Sequence, residues 1–396
     1  MSLENLADRT LVETTARDLV ARTSVESATT VSLFEGVYDA GLSWVHFPQG
    51  LGGLGVDIGL QVVADEILLE AGYPSSFTMN PVGFGMAAPT LQAHAAPELC
   101  RALLRPLAST ADIWCQLFSE PGAGSDLANV ATSAVRDGSR WRVNGQKVWT
   151  SLGHRAQWAI LLARTAPELP KHRGMTYFVL DMRLPGVTVR PLRQITGQAE
   201  FNEVFLDDVV VEDRFRVGEV GAGWQVAMTT LSSERRALSG APPVPGSGAI
   251  ADAVELWLAH HELRNPVLRD RLGQLWSRSE ALRLTRIRLA TDGLPGGAQS
   301  VLTKLASAGL NQQVYEFCLD LLGPVGTLYG DYSMDEKPRT EDYRGPVQQR
   351  FLRARANTVE GGSSEILRTA LGERALGLPR EPRVDKDIPW REMPRG

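Results

Sequence analysis

Cysteine is scarce in this chain and badly placed for pairing. Cys100, Cys115 and Cys318 are odd in number and far apart. That excludes a disulfide framework or a cysteine zinc site and fits buried thiols in a reducing cytosol. Histidine offers no metal site either: of six, only His260 and His261 are neighbours, and adjacent residues do not share a helix face. No apolar run approaches the roughly 20 residues a membrane helix needs. Met1-Ser2-Leu3-Glu4 carries no basic region ahead of an apolar stretch, so no signal peptide is expected and the reading is cytoplasmic. A surplus of positive charge is missing too. The net charge of -5 and a pI near 5.8 exclude a nucleic-acid surface. No internal repeat is visible.

What is present is a soluble-protein composition, 43% hydrophobic and 22% charged, over 396 residues. That length exceeds one ordinary core, so two or three domains are expected. Residues 4 to about 110 read as helical, with apolar residues at three- and four-residue intervals over Ala28–Tyr38 and Leu60–Ala71. From about 112 to 215 the pattern alternates with period two, in Trp158–Ala163, Tyr177–Leu180, Val187–Arg190 and Val204–Val209. This suits a compact antiparallel barrel or sandwich. Helical periodicity returns in Trp224–Leu238, Ala249–His261, Pro266–Leu289, Ser300–Leu322 and Pro346–Thr358. The expected divisions are 1–111, helical; 112–215, β; 216–380, helical bundle; and 381–396, a charged, Pro-rich and loosely ordered tail.

Two glycine-rich stretches compete for attention. Gly50, Gly52 and Gly55 satisfy G-x-G-x-x-G. However, Pro48 interrupts the approach and no βαβ unit follows, so a dinucleotide fingerprint is rejected. The second stretch is stronger: Trp114-Cys-Gln-Leu-Phe-Ser-Glu-Pro-Gly-Ala-Gly-Ser-Asp126, an interval, then Trp141-Arg-Val-Asn-Gly-Gln-Lys-Val-Trp-Thr-Ser151. Pro121, Gly122 and Gly124 break regular structure, and a glycine loop lets backbone N–H groups approach anionic oxygens. Asn144-Gly145 between alternating runs is a hairpin signal.

In that order and spacing, E-P-G-A-G-S-D followed by N-G-x-K-x-W-x-[ST] resembles the signature of the acyl-CoA dehydrogenase family. The helical, β, helical order matches that family's three-domain α+β architecture over nearly the whole chain: an N-terminal α domain, a middle β domain and a C-terminal four-helix bundle. The loop at 48–55 is similar to the family's P-x-x-x-G-G-x-G. The resemblance implies an FAD enzyme that oxidises an acyl-CoA thioester to the trans-2-enoyl-CoA. A carboxylate takes the α proton, the β hydrogen leaves as hydride to the flavin, and electrons pass to an electron-transfer flavoprotein. By motif it implies flavin contacts at Gln116, Phe118, Ser119, Gly124, Ser125, Trp149 and Ser151, and at Ser363 and Glu365 in the late segment. Ser125 and Arg235 are implied acyl-CoA contacts.

The base has two family positions. In the late segment, Val359-Glu360-Gly361-Gly362-Ser363-Ser364-Glu365, alignment on Gly362-Ser363 puts Gly361 at the base position and Glu360 one residue early. The earlier-helix motif L-x-x-E-R is present as Leu231-Ser-Ser-Glu234-Arg235. Glu234 is therefore the expected base, its pKa raised by desolvation. The Gly361 N–H is the expected oxyanion donor. The earlier-helix base implies a branched, bulky or long acyl group. The family's R-x-x-F-G is missing from His260–Arg271, so either Arg264 or another residue substitutes, or flavin sites are shared unequally. A homotetramer and a heterotetramer are both compatible with this. Two other readings stand beside it: a flavin oxidase or monooxygenase of the same fold, and a partner subunit completing a flavin site on another chain.

Overall fold

The computed structural model describes residues 3–239, 244–292, 294, 298–330, 333–334, 345–380, 382 and 385–393. They form two compact units. One comprises residues 1–192, 201–233 and 385–396, and the other 193–200 and 234–384.

The first unit opens with helices α1 (Leu3–Arg22), α2 (Thr30–Asp39), α3 (Gln61–Glu70), α4 (Ser76–Met79), α5 (Ala88–His94) and α6 (Pro97–Ala108). Apolar residues at i, i+4 build α6: Leu99, Leu103, Leu104 and Leu107 are buried on one face. They join Ile160, Leu162, Tyr177 and Val179 of the sheet in one core. The 48–55 loop lies between α2 and α3, with no strand leading in. A Cβ on Gly53 would sit 2.1 Å from the Phe47 carbonyl oxygen, so packing accounts for that glycine. Asn80 fixes the entry to the sheet. Its amide donates to the Leu107 and Asp112 carbonyls and accepts from the Trp114 N–H at 3.0 Å.

The sheet has eight strands: β1 (Trp114–Leu117), β2 (Ser133–Asp137), β3 (Arg140–Ser151), β4 (Trp158–Arg164), β5 (Met175–Asp181), β6 (Val187–Pro191), β7 (Phe201–Glu212) and β8 (Arg216–Val217). Their order is β6-β7-β3-β2-β4-β5-β8, with β1 parallel beside β4. Most pairings are antiparallel. β4 and β5 are covered on both faces, hence their unbroken apolar runs.

Asn144-Gly145 does not turn a hairpin. Both residues lie inside β3, where the register against β7 slips between Val143 and Gly145, a β-bulge. A Cβ on Gly145 would sit 2.4 Å from Thr132 Oγ1, so close packing is what requires glycine there. Asn144 Oδ1 accepts the Asp208 N–H at 2.8 Å. The turn between β2 and β3 is instead made at Gly138, with φ +60°.

The tail also differs from expectation. Trp390 is buried, its N–H donates to Leu169 O at 2.9 Å, and its indole N–H donates to Asn129 Oδ1 at 2.9 Å. Asp385 pairs with Lys171 at 2.6 Å. Residues 385–393 are thus a packed strap on the first unit, drawn down by one large aromatic and one buried cation.

Helix α7 (Gly223–Ser239) supplies Val226 and Ala227 to the core of the first unit, and from Glu234 its residues belong to the second. The second unit continues with α8 (Ala249–Ala259), α9 (Pro266–Asp292), α10 (Gln299–Leu322), α11 (Val347–Ala354) and α12 (Ser364–Arg374). Its core is Ile250, Ala253, Leu272, Leu275, Val314, Phe317 and Leu321. Among the described residues no helix is long and apolar enough to cross a membrane.

Candidate active site

In the first unit the signature stretches fold into one wall. β1 carries Gln116, and the next residue but one, Phe118, is buried edge-on against Tyr177 at 5.7 Å between rings. The chain then closes a tight turn, Glu120 N–H to Ala123 O at 3.1 Å and Ala123 N–H to Glu120 O at 3.0 Å. Ala123 is buried and Pro121, Gly122, Gly124 and Ser125 face outward. A Cβ at Gly122 or Gly124 would meet nothing within 4 Å, and neither residue has positive φ. Neither internal packing nor backbone conformation therefore requires glycine here. What remains is close approach of something from outside, as a phosphate-bearing cofactor needs.

A buried ion pair holds this wall. Lys147 is fully buried, and its ammonium donates to Phe118 O at 3.0 Å, Leu162 O at 2.9 Å and Glu120 Oε1 at 2.8 Å. The Glu120 carboxylate also accepts the Ala131 and Thr132 N–H groups at 2.7 and 2.9 Å. Burial works to raise the Glu120 carboxyl. Lys147 and those N–H donors outweigh it and keep the group below the ordinary carboxylate range. Beside it, Val148 N–H donates to Ser119 O at 2.9 Å, which ties β3 to the end of β1.

The register of β3 slips again between Lys147 and Thr150. Trp149 occupies this second bulge at φ +61°, a conformation a bulky residue rarely adopts. The bulge re-aims its ring outward: Trp149 is 61% exposed, edge-on to Phe201. Ser151 is half-buried opposite Phe201. Asn202 braces this edge, donating to Thr150 O at 2.9 Å and meeting His154 Nδ1 at 3.1 Å. Gln116, Phe118, Ser119, Trp149 and Ser151 are therefore brought together, with Gly124 and Ser125 on the adjoining loop. An exposed, strained indole beside an open glycine loop fits a flat aromatic cofactor with a phosphate arm. Lys147, Asn202 and His154 escaped the sequence reading because their partners are strands away.

In the second unit Glu234 is half-buried on α7, while the Arg235 side chain lies outside the described residues. The late segment runs from α11 through a 3-10 turn (Arg355–Thr358) to α12. The Val359 and Glu360 N–H groups both donate to Ala356 O at 2.9 Å. Gly361 and Gly362 follow with φ +62° and +95°, a left-handed pair that glycine adopts at no steric cost. Among the described residues the Gly361 N–H has no protein acceptor. Ser363 caps α12, accepting the Ile366 N–H at 3.3 Å, and Glu365 is exposed on its first turn.

Glu360 is fully engaged. Arg353 donates to both its oxygens, Nη1 at 2.9 Å and Nη2 at 2.8 Å, and Asn357 adds a third bond at 2.8 Å. Burial pushes the Glu360 carboxyl up, but these donors win and hold it below the ordinary range. The same Arg353 donates from Nε to Glu200 at 3.1 Å. Lys304 donates to Gly362 O at 2.6 Å. Burial pulls the Lys304 ammonium down, opposed by the charges of Glu360 and then Glu234. Arg264 is committed elsewhere, to the Trp257 and Leu258 carbonyls at the end of α8.

Comparison with known proteins decides the family. The family model for the acyl-CoA dehydrogenase middle domain matches residues 115–209, and that for the acyl-CoA dehydrogenase C-terminal domain matches residues 221–376. The chain is 39% identical over 345 residues to acyl-CoA dehydrogenase IpdE1 of Mycobacterium tuberculosis, covering 86% of each. The chain belongs to the acyl-CoA dehydrogenase family. It is accordingly an oxidoreductase, and its cofactor is FAD. Among solved structures it resembles the Tcur3481-Tcur3483 steroid ACAD at 25% identity and TM-score 0.72, covering 96% of this chain and 99% of that one. The ChsE4-ChsE5 complex from Mycobacterium tuberculosis matches at 25% identity and TM-score 0.70, with the same coverage.

Proposed function

We propose that this acyl-CoA dehydrogenase oxidises the α,β bond of a branched, bulky or long acyl-CoA, with Glu234 as the base and the Gly361 N–H as oxyanion donor. The observation that carries this is the state of the late segment. Its carboxylate, Glu360, is locked by Arg353 and Asn357, and the next residue has no side chain and an N–H without an acceptor among the described residues. A carboxylate held by three donors has lost the proton affinity a base needs.

Glu234 takes the α proton. As it leaves, charge grows on the thioester oxygen, and the Gly361 N–H meets that charge without reorganising. Bound FAD supplies the hydride acceptor for the β hydrogen. Gln116, Phe118, Ser119, Gly124, Ser125, Trp149, Ser151, Ser363 and Glu365 are assigned to hold it. Ser125 and Arg235 are assigned to acyl-CoA. Electrons pass to an electron-transfer flavoprotein. A relative named as a steroid ACAD supports including polycyclic acyl groups among the bulky substrates.

The test is anaerobic bleaching of the flavin by a panel of linear, branched and polycyclic acyl-CoAs. Glu234→Gln should bind FAD and acyl-CoA yet bleach about 10²–10⁴-fold more slowly, the usual contribution of a general base. Glu360→Gln should keep most of the rate. The reverse outcome would mean the register of the late segment is wrong. Rapid peroxide formation in air would move the assignment to an oxidase.

One observation favours a heteromeric assembly. Arg264, the nearest substitute for the missing R-x-x-F-G arginine, is spent on capping α8. A relative of known structure is a two-protein complex. Copurification with a second homologous chain and an FAD content near about half per chain would support it, while about one FAD per chain would favour a homotetramer.

A further inference from the structure

We propose that Arg353 is a positioning residue that sets the direction of the Gly361 N–H. This rests on the reading of Gly361 as oxyanion donor. The difficulty it resolves is physical. Gly361 and Gly362 are consecutive left-handed glycines, and glycine is the most conformationally free residue. A donor useful to an oxyanion must nonetheless stay within hydrogen-bond range of one point, about 2.7–3.1 Å. Something outside the two glycines has to hold the turn.

The Gly361 N–H lies in the same rigid peptide plane as the Glu360 carbonyl, so fixing Glu360 fixes one edge of that plane. Arg353 does this from the last turn of α11 with a two-pronged grip on both carboxylate oxygens. A fork of this kind restricts orientation as well as distance, which a lysine ammonium does not. Its third donor, Nε, takes Glu200, and Tyr329 O–H donates to Thr196 O at 2.7 Å. The 193–200 loop is thereby part of the same brace. On the far side of the glycine pair, Lys304 holds the Gly362 carbonyl. The turn is clamped immediately before and immediately after the donor.

The grip also has an electrostatic side. Glu360 carries a negative charge one residue from the place where the substrate oxygen becomes negative. Arg353 neutralises it. Losing Arg353 should therefore harm oxyanion stabilisation twice, by loosening the turn and by exposing a like charge. Losing the Glu360 charge alone removes the like charge and leaves one accepting oxygen for the grip, so it should harm it less than losing Arg353.

The experiment uses the FAD-loaded full chain and two ligands that need no turnover. The first is a 3-oxoacyl-CoA, acidic at the α carbon, whose bound enolate is read by absorbance at fixed pH. The second is an alkyl-CoA thioether, which has no carbonyl and needs no oxyanion donor. Arg353→Met should lower the bound enolate-to-keto ratio by about 10–10²-fold, as expected when a donor is misplaced. The thioether Kd should stay within about 2-fold, since that contact does not use the donor. Arg353→Lys should recover part of the loss, and Arg353→Met with Glu360→Gln should fall between Arg353→Met and the wild type. Equal loss of both ligands, or no change in the enolate ratio, overturns the inference. If Arg353→Met does not fold, Arg353→Lys and Glu360→Gln carry the test: the first should lose enolate more than the second, and the opposite order refutes it. A wild-type chain that binds neither ligand refutes the proposed function itself, and this inference with it.

Discussion

Replacing Lys147 by methionine probes how the wall around Phe118, Glu120 and the glycine loop is held. Methionine keeps most of the apolar stem and removes the ammonium. Three acceptors then lose their donor: Phe118 O, Leu162 O and Glu120 Oε1. Glu120 is 8% exposed, so its charge stays buried with only the Ala131 and Thr132 N–H groups for compensation. Breaking a buried pair from one side typically costs about 3–5 kcal/mol. For a cooperative unit of about 150–250 residues, each kcal/mol corresponds to about 2–4 °C. The expected fall in Tm is therefore at least about 6 °C at neutral pH. Adding Glu120→Gln to Lys147→Met should return part of it, because the orphaned charge disappears, giving a coupling within about 0.5–3 kcal/mol. The loop holding Gly122 and Gly124 hangs from this pair, so FAD should also wash out faster on gel filtration. A Tm change under about 2 °C for Lys147→Met, equivalent to less than 1 kcal/mol, would refute the reasoning.

Two further outcomes are expected. His94 Nε2 lies 2.8 Å from Thr229 Oγ1, and burial lowers its pKa below the ordinary 6.5. The unfolded chain therefore takes up this proton first, so stability that is full above about pH 6.5 should decline as pH falls below it. A Tm-pH profile of His94→Gln should lose that part of the slope. Trp390→Ala removes a buried ring that lies against the Arg164 guanidinium at 4.7 Å and should destabilise by about 3–5 kcal/mol. Limited proteolysis should then clip the C-terminal strap first, and an uncleaved strap would argue against its being held by Trp390.

Helix and strand order was legible in the sequence: three- and four-residue apolar spacing marked Ala28–Tyr38 and Leu60–Ala71, while β4 and β5 showed as short apolar runs whose expected alternation is absent because both faces are buried. Local turn chemistry misled once: Asn144-Gly145 carries the residue types of a tight turn, but Thr132 packs against Gly145 and turns the pair into a bulge. The strap at 385–393 was hidden because Trp390 and Asp385 find Asn129 and Lys171, partners more than 200 residues away in sequence. The signature stretches pointed to a cofactor side by residue type. They could not give the bulge that turns Trp149 outward, which depends on pairing with β7. The grip of Arg353 on both Glu200 and Glu360 was likewise invisible, since no spacing rule links a loop at 193–200 to the end of α11.

The late segment shows why a carboxylate near the expected place is a poor guide to the base. Glu360 is one residue from the family's base position, and by proximity alone it is a natural choice. A base must release its hydrogen-bond donors and gain a proton during the reaction. Glu360 would have to give up bonds to Arg353 and Asn357 to do so, and each raises the barrier. Those bonds suit a fixed anchor, and an anchor is what a turn made of Gly361 and Gly362 requires. With glycine at 361, the backbone N–H is the one hydrogen-bond donor that residue has. The same arrangement supports both proposed roles at once: the Gly361 N–H as oxyanion donor, and Glu234 in its L-x-x-E-R setting as the base.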